Sequence, residues 1–179
     1  MLLKAMRYFW EYGYEKTSIN DLVDCMGIHR RSMYDTFGDK RQLFQRAVER
    51  YRRLLNDRFQ TILASTETAK QSMQNLFGLV LGDDVKSMGC LIVNMAVELA
   101  PRDPEVDQMA QESFARLEGH LTELIRKGQA NGEFATTYDA RERAESLHNS
   151  LIGLRVLART TTDKSKLQRI AATAISSLQ

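Results

Sequence analysis

The chain has 179 residues, enough for one domain with a substantial core or for a small domain joined to a medium one. Hydrophobic residues at 43% and charged residues at 27% match ordinary folded usage, and no apolar run nears the roughly 18 residues that span a bilayer; a disordered tail and a membrane protein are both excluded. The net charge of +2 conceals an asymmetry, because residues 1–53 hold 11 Lys+Arg against 7 Asp+Glu while residues 54–179 hold 14 against 16. A polyanion partner is therefore expected for the front of the chain only.

Met1-Leu2-Leu3-Lys4 lacks a cationic segment followed by an apolar stretch and a cleavage site, so the expected compartment is cytoplasmic. Cys25 and Cys90 lie far apart without CxxC spacing and read as reduced thiols, with no disulfide framework or cysteine metal site. No metal and no cofactor is expected.

Only two prolines occur, and the ten glycines fall mostly between stretches of helical periodicity, which predicts an all-α chain. Leu2, Met6, Phe9 and Trp10 give a first helix over about 1–12 that stops at Gly13. Ser18 with Asp21 opens a second, on the apolar face of Ile19, Leu22, Val23 and Met26, and Gly27 ends it. Met33 and Phe37 bury one side of a third helix, whose other side shows His29, Arg30, Arg31, Ser32 and Asp35. Asp39 with Gln42 opens a fourth running to about Leu63, some 35 Å long.

A fifth helix is predicted to end near Gly82-Asp83-Asp84, and a buried, almost wholly apolar sixth over Cys90–Leu99 stops at Pro101. Asp103 as N-cap with Pro104 at the first position starts a seventh that lasts to Asn131-Gly132. Asp139 with Glu142 opens an eighth to about Arg159, and Asp163 opens a ninth. The expected plan is nine helices without repeats, with a DNA-binding domain over residues 1–45 and a second domain over 46–179.

Two short helices across a glycine turn, residues 18–37, have the layout of a helix-turn-helix, in which the second helix enters the major groove. A forked guanidinium meets guanine O6 and N7 with two parallel hydrogen bonds, so Arg30 and Arg31 suit direct base readout. Thr17, Ser18, Tyr34 and Lys40 stand at helix starts or flanks, where hydroxyls and ammonium groups grip phosphates.

The runs Phe9-Trp10-Glu11-Tyr12-Gly13-Tyr14-Glu15-Lys16-Thr17-Ser18-Ile19, Met26-Gly27-Ile28 and Ser32-Met33-Tyr34-Asp35-Thr36-Phe37-Gly38-Asp39-Lys40 closely resemble the N-terminal domain of the tetracycline-repressor (TetR/AcrR) family. Residues 89–94 and 151–159 resemble the C-terminal domain of one branch of that family, with less specific motifs. The resemblance implies a homodimeric transcriptional regulator, usually a repressor, that leaves a pseudo-palindromic double-stranded DNA operator when a small-molecule effector enters its C-terminal domain. It places base contacts at His29, Arg30, Arg31 and Ser32, and phosphate contacts at Tyr34, Lys40, Thr17 and Ser18.

Three departures stand out from the family's pattern. His29 replaces the usual Ser or Asn cap, Arg31 replaces a common Gly or Pro, and relatives begin several residues earlier with a basic arm, so the start resembles an incomplete first helix.

Cys90, Asn94 and Glu98 share one i,i+4 row of an otherwise apolar helix. Either Asn94 and Glu98 orient an effector in a cavity bounded by Phe77, Met95, Met109 and Phe114, or they bond to backbone or to the DNA-binding domain. Cys90 at a helix start is a candidate electrophile sensor, with inert packing the stronger expectation.

The last two helices carry Leu147, Leu151, Leu154, Leu157, Leu167, Ile170, Ala174 and Leu178 on stripes that either close the monomer's core or form a four-helix dimer interface. Dimerisation is favoured because one recognition helix reads too few base pairs. An enzyme is not expected, since His29, His120 and His148 are scattered and no phosphate loop occurs. The rival reading is a ligand-binding adaptor that has lost DNA affinity.

Overall fold

The computed structural model describes residues 1–66, 68–80, 82, 88–161 and 163–179. Among them are nine α-helices, one short 3-10 turn and no strand. The helices are α1 (Leu2–Tyr12), α2 (Ile19–Met26), α3 (Arg30–Phe37), α4 (Lys40–Ser65), α5 (Ala69–Val80), α6 (Leu91–Glu98), α7 (Pro104–Ala130), α8 (Ala140–Leu157) and α9 (Lys164–Ser176), with the turn at Ala100–Arg102.

The expected start signals act as written. Ser18 and Asp21 form a reciprocal capping box, Asp39 and Gln42 exchange two backbone-to-side-chain hydrogen bonds at the head of α4, and Asp139 accepts from the amides of Arg141 and Glu142. Asp103 accepts from Val106 N ahead of Pro104, and Asp163 from Lys166 N. Helix α5 is described to Val80; of the end expected near Gly82-Asp83-Asp84, Asp83 and Asp84 lie outside the described residues.

Two compact units result. The first comprises Met1–Asp57 with Cys90–Ala110, and the second Arg58–Gly89 with Gln111–Gln179. The first unit thus runs along α4 past residue 45 and includes a distant segment. The physical reason is burial: Leu91, Ile92 and Met95 are almost wholly enclosed on a helix too apolar to stand in water.

In the first unit Met6, Phe9, Leu22, Met33, Phe44 and Val48 form the interior, with the rings of Phe9 and Phe44 edge to face at 5.2 Å. In the second unit Phe59, Met73, Phe77, Leu121, Ile125 and Leu147 lead one continuous core.

That core takes in the apolar stripes of α8 and α9. Leu147, Leu151, Leu154, Leu167 and Leu178 are each no more than 3% exposed. Leu157, Ile170 and Ala174 are half-buried against the same core. The stripe shares one cluster with residues of α5 and α7 of the same chain. The opposite face of α8 carries Asn149, Ile152, Gly153 and a half-exposed Val156.

Candidate nucleic-acid interface

The helix-turn-helix is held by local hydrogen bonds that leave one face bare. Ser18 Oγ accepts from Asp21 N at 3.1 Å, and the Asp21 carboxylate accepts from Ser18 N at 2.8 Å; hydrogen bonding to the Ser18 side chain, and then to its backbone, holds the Asp21 carboxyl below its ordinary range. Ser18 itself is exposed. Gly27 takes a left-handed conformation with φ +71, and the Gly27 and Ile28 amides both donate to the Val23 carbonyl. That reversal closes α2 and starts α3 after only His29.

Within α3, Met33 and Phe37 point inward while Arg30, Arg31, Ser32 and Tyr34 are all exposed. Arg30 lies over the Tyr34 ring at 5.9 Å, and Arg31 Nε stands 3.7 Å from Asp35. The Arg31–Asp35 side chains are 93% and 70% exposed, so water screens the pair and a phosphate or base edge displaces it at little cost. His29 is exposed and makes no side-chain capping bond, as its weak capping character predicts. The first amides of α3 therefore lack a side-chain acceptor and point outward with the positive end of the helix dipole.

Lys40, the first residue of α4, holds its ammonium 4.2 Å from the centroid of the Tyr14 ring. Thr17 departs from expectation. It is 1% exposed, and its hydroxyl donates to the Gly13 carbonyl at 2.6 Å, so it fastens the end of α1.

Two sets of contacts had no clear sequence signal. Arg46 Nη1 donates to the Thr36 carbonyl at 3.0 Å, and its guanidinium lies 5.8 Å from the centroid of Phe37. Arg41 forks onto both oxygens of Asp103 and also reaches Glu105 at 2.8 Å, while Gln45 bonds Glu105. The Arg41 fork holds the Asp103 carboxyl below its ordinary range. These pairs join α4 to the start of α7, residues 60 or more apart in sequence, and only folding brings them together.

The effector expectation divides. Asn94 Nδ2 donates to the Trp10 carbonyl at 3.4 Å, and the Glu98 carboxylate accepts from the backbone amides of Tyr14 and Glu15 at 3.0 and 2.9 Å. These are the backbone and DNA-binding-domain partners of the second reading, so both polar groups serve the first unit's own framework. Met95 and Met109 fall in the first unit, and Met95 is buried. Phe77 and Phe114 fall in the second.

Phe77 is buried and also lines an open groove of about 330 Å³ between α5 and α9, with Lys70, Gln74, Phe134 and Ile175 among its walls. Phe114 lies against the buried His148 ring at 5.3 Å, and His148 Nδ1 is 2.7 Å from Glu118 Oε1. That His148–Glu118 pair was missed, since its members stand 30 residues apart on separate helices.

His120 stacks on Phe59 at 4.4 Å with its Nε2 buried and unpartnered, and burial lowers its pKa. Cys90 is 2% exposed. The half-buried Cys25 has its pKa raised by burial, which keeps it a thiol. Among the described residues no three His, Cys, Asp or Glu side chains come together as a metal site, and no helix is long and apolar enough to cross a membrane.

Comparison with known proteins places this architecture. Residues 2–47 match the sequence profile of bacterial regulatory proteins of the tetR family, and residues 71–174 match a tetracyclin repressor-like C-terminal domain. The HTH-type transcriptional regulator YezE of Bacillus subtilis is 35% identical over 175 residues, covering 94% of this chain and 89% of that protein. The HTH-type transcriptional repressor ComR of Escherichia coli is 28% identical over 180 residues, covering 96% and 84%.

Among solved structures, a cysteine mutant of the TetR-family regulator CifR, crystallised with a 26-bp double-strand operator, superposes with a TM-score of 0.87 at 26% identity, covering 99% of this chain and 95% of that one. A TetR-family regulator from Agrobacterium tumefaciens shares the fold with a TM-score of 0.89 at 22% identity, over 99% and 95%. With a helix-turn-helix whose outer face is cationic and both family domains matched in order, the chain belongs to the TetR family of DNA-binding transcriptional regulators.

Proposed function

We propose that this regulator is a cytoplasmic repressor that binds an inverted-repeat operator as a homodimer and releases it when a small molecule occupies the second unit. The observation that carries the DNA reading is the division of α3 into a buried face of Met33 and Phe37 and an exposed face of Arg30, Arg31, Ser32 and Tyr34. Arg30 and Arg31 read base edges with His29 and Ser32 beside them, while Ser18, Tyr34 and Lys40 hold phosphates. The operator complex of CifR and the repressor designation of ComR support the operator and the sign of regulation.

Two copies pair through the outer face of α8, where Ile152, Gly153 and Val156 give an apolar strip. The effector is met by Phe114 and the Glu118–His148 pair, whose hydrogen bond fixes the imidazole's orientation. Helices α4 and α7 each contribute residues to both units, so a ligand-dependent shift in either has a covalent route to the DNA-binding side. An inducer must favour the DNA-incompetent state, and a coupling of about 1 to 3 kcal/mol suffices.

Selection of the purified protein on a random duplex library at fixed moderate salt tests the reading. An enriched inverted repeat supports a dimeric regulator. No enrichment, from protein shown to be folded, replaces it with a ligand-binding adaptor.

A further inference from the structure

We propose that Arg46 is a positioning residue for the recognition helix, acting from α4 on the C-terminal end of α3 and not on DNA. The proposal rests on the reading of α3 as the base-reading helix. That helix is only eight residues long and has no side-chain cap at its N-terminus. A two-turn helix is marginal unless its ends and one face are tied down. Its buried anchors are Met33 and Phe37, and Phe37 is the last residue of the helix.

Arg46 acts at that end in two ways. Its Nη1 gives a hydrogen bond to the carbonyl of Thr36, one of the terminal carbonyls that the helix cannot satisfy itself, and its guanidinium carbon lies over the Phe37 ring, 5.8 Å from the centroid. A cation there also opposes the negative end of the helix dipole. Whereas Arg31, Arg41 and Arg53 pair with Asp35, Asp103 and Glu49, Arg46 pairs with no carboxylate among the described residues, so its charge is given to the helix end. Because the Gly38 turn immediately follows, this contact fixes how the C-terminal turn of α3 leaves the unit, and hence the angle at which Arg30 and Arg31 meet a groove.

Arg46→Ala and Arg46→Lys in the full chain test the assignment by two readouts. One is amide hydrogen exchange of the free protein, and the other is affinity for the selected operator across a salt series. Expected for Arg46→Ala are faster exchange confined to Tyr34 through Gly38, and operator binding about fivefold weaker at every salt concentration with an unchanged salt slope. Arg46→Lys, which keeps a cation and a donor, recovers most of both.

A salt slope flattened by about one with exchange unchanged makes Arg46 a phosphate contact and overturns the proposal. Exchange accelerated throughout the unit, or no change in either readout, also overturns it. If the parent protein selects no operator, the reading of α3 fails first, an outcome distinct from a parent that binds and an Arg46→Ala variant that binds equally well.

Discussion

Glu98 accepts the backbone amide of Tyr14 on one carboxylate oxygen at 3.0 Å and that of Glu15 on the other at 2.9 Å, tying the end of α6 to the turn after α1. The turn is shaped for it: Gly13 has φ +83, and a Cβ there would sit 2.8 Å from Glu98 Oε2. Glu98→Ala leaves two amides without their acceptor and is expected to destabilise the protein by about 1 to 3 kcal/mol in urea unfolding. Gly13→Ala is expected to cost a similar amount through both backbone strain and the lost approach. Wild-type stability in both variants would show that the clasp contributes nothing.

Arg30→Ala or Arg31→Ala is expected to weaken operator binding by about 1 to 3 kcal/mol and to relax base preference at one position in each half-site. Lys40→Ala is expected to weaken all sequences alike and to flatten the salt slope by about one. Titrations against the selected operator and single-base variants separate the two patterns. Uniform loss from the arginine changes would reassign them as phosphate grips.

His120 produces a pH dependence of definite sign. Its pKa is lowered by burial, so below the ordinary imidazole value of about 6.5 the unfolded chain binds the proton more readily than the native protein does. Its contribution to stability is therefore complete above that value and is lost as the pH falls below it. His120→Phe, which keeps the stack on Phe59 and removes the unpartnered Nε2, is expected to raise stability by about 1 kcal/mol and to shrink the loss between pH 7 and pH 5. Parallel urea midpoints at the two pH values for both proteins would reject this.

The outer and inner faces of α8 are expected to respond differently. Val156→Glu places a charge on the proposed dimer strip and should yield a folded monomer in sedimentation, with half-site affinity only. Leu151→Ala opens a cavity inside the second unit and should cost about 2 to 5 kcal/mol of stability while leaving the surviving folded protein dimeric. A dimeric Val156→Glu protein would remove α8's outer face from the interface.

The helices and their starts were legible in the residues themselves because their causes are local. A Ser18–Asp21 or Asp39–Gln42 box is complete within four residues, Gly27 needs only its own backbone freedom, and the 3.6-residue period of Met33 and Phe37 already assigns Arg30 and Arg31 to the opposite, solvent-facing side. Periodicity marks a face as apolar without naming what covers it, and for that reason Leu147, Leu151 and Leu154 read equally as core or as interface, whereas the tertiary structure sets them in one cluster with residues of α5 and α7. The same ambiguity attached to Asn94 and Glu98, polar groups on a buried row whose partners, Trp10, Tyr14 and Glu15, lie more than 80 residues away.

Thr17, an exposed phosphate grip by position, turned inward because the Gly13 carbonyl stood within reach. Arg46 and Arg41 are ordinary helix-surface cations in sequence, and only the arrival of Thr36 and Asp103 beside them decides what their charges do. Hydrogen bonds of buried or terminal groups are satisfied by whatever neighbour the fold delivers, and that neighbour is a property of the tertiary structure alone.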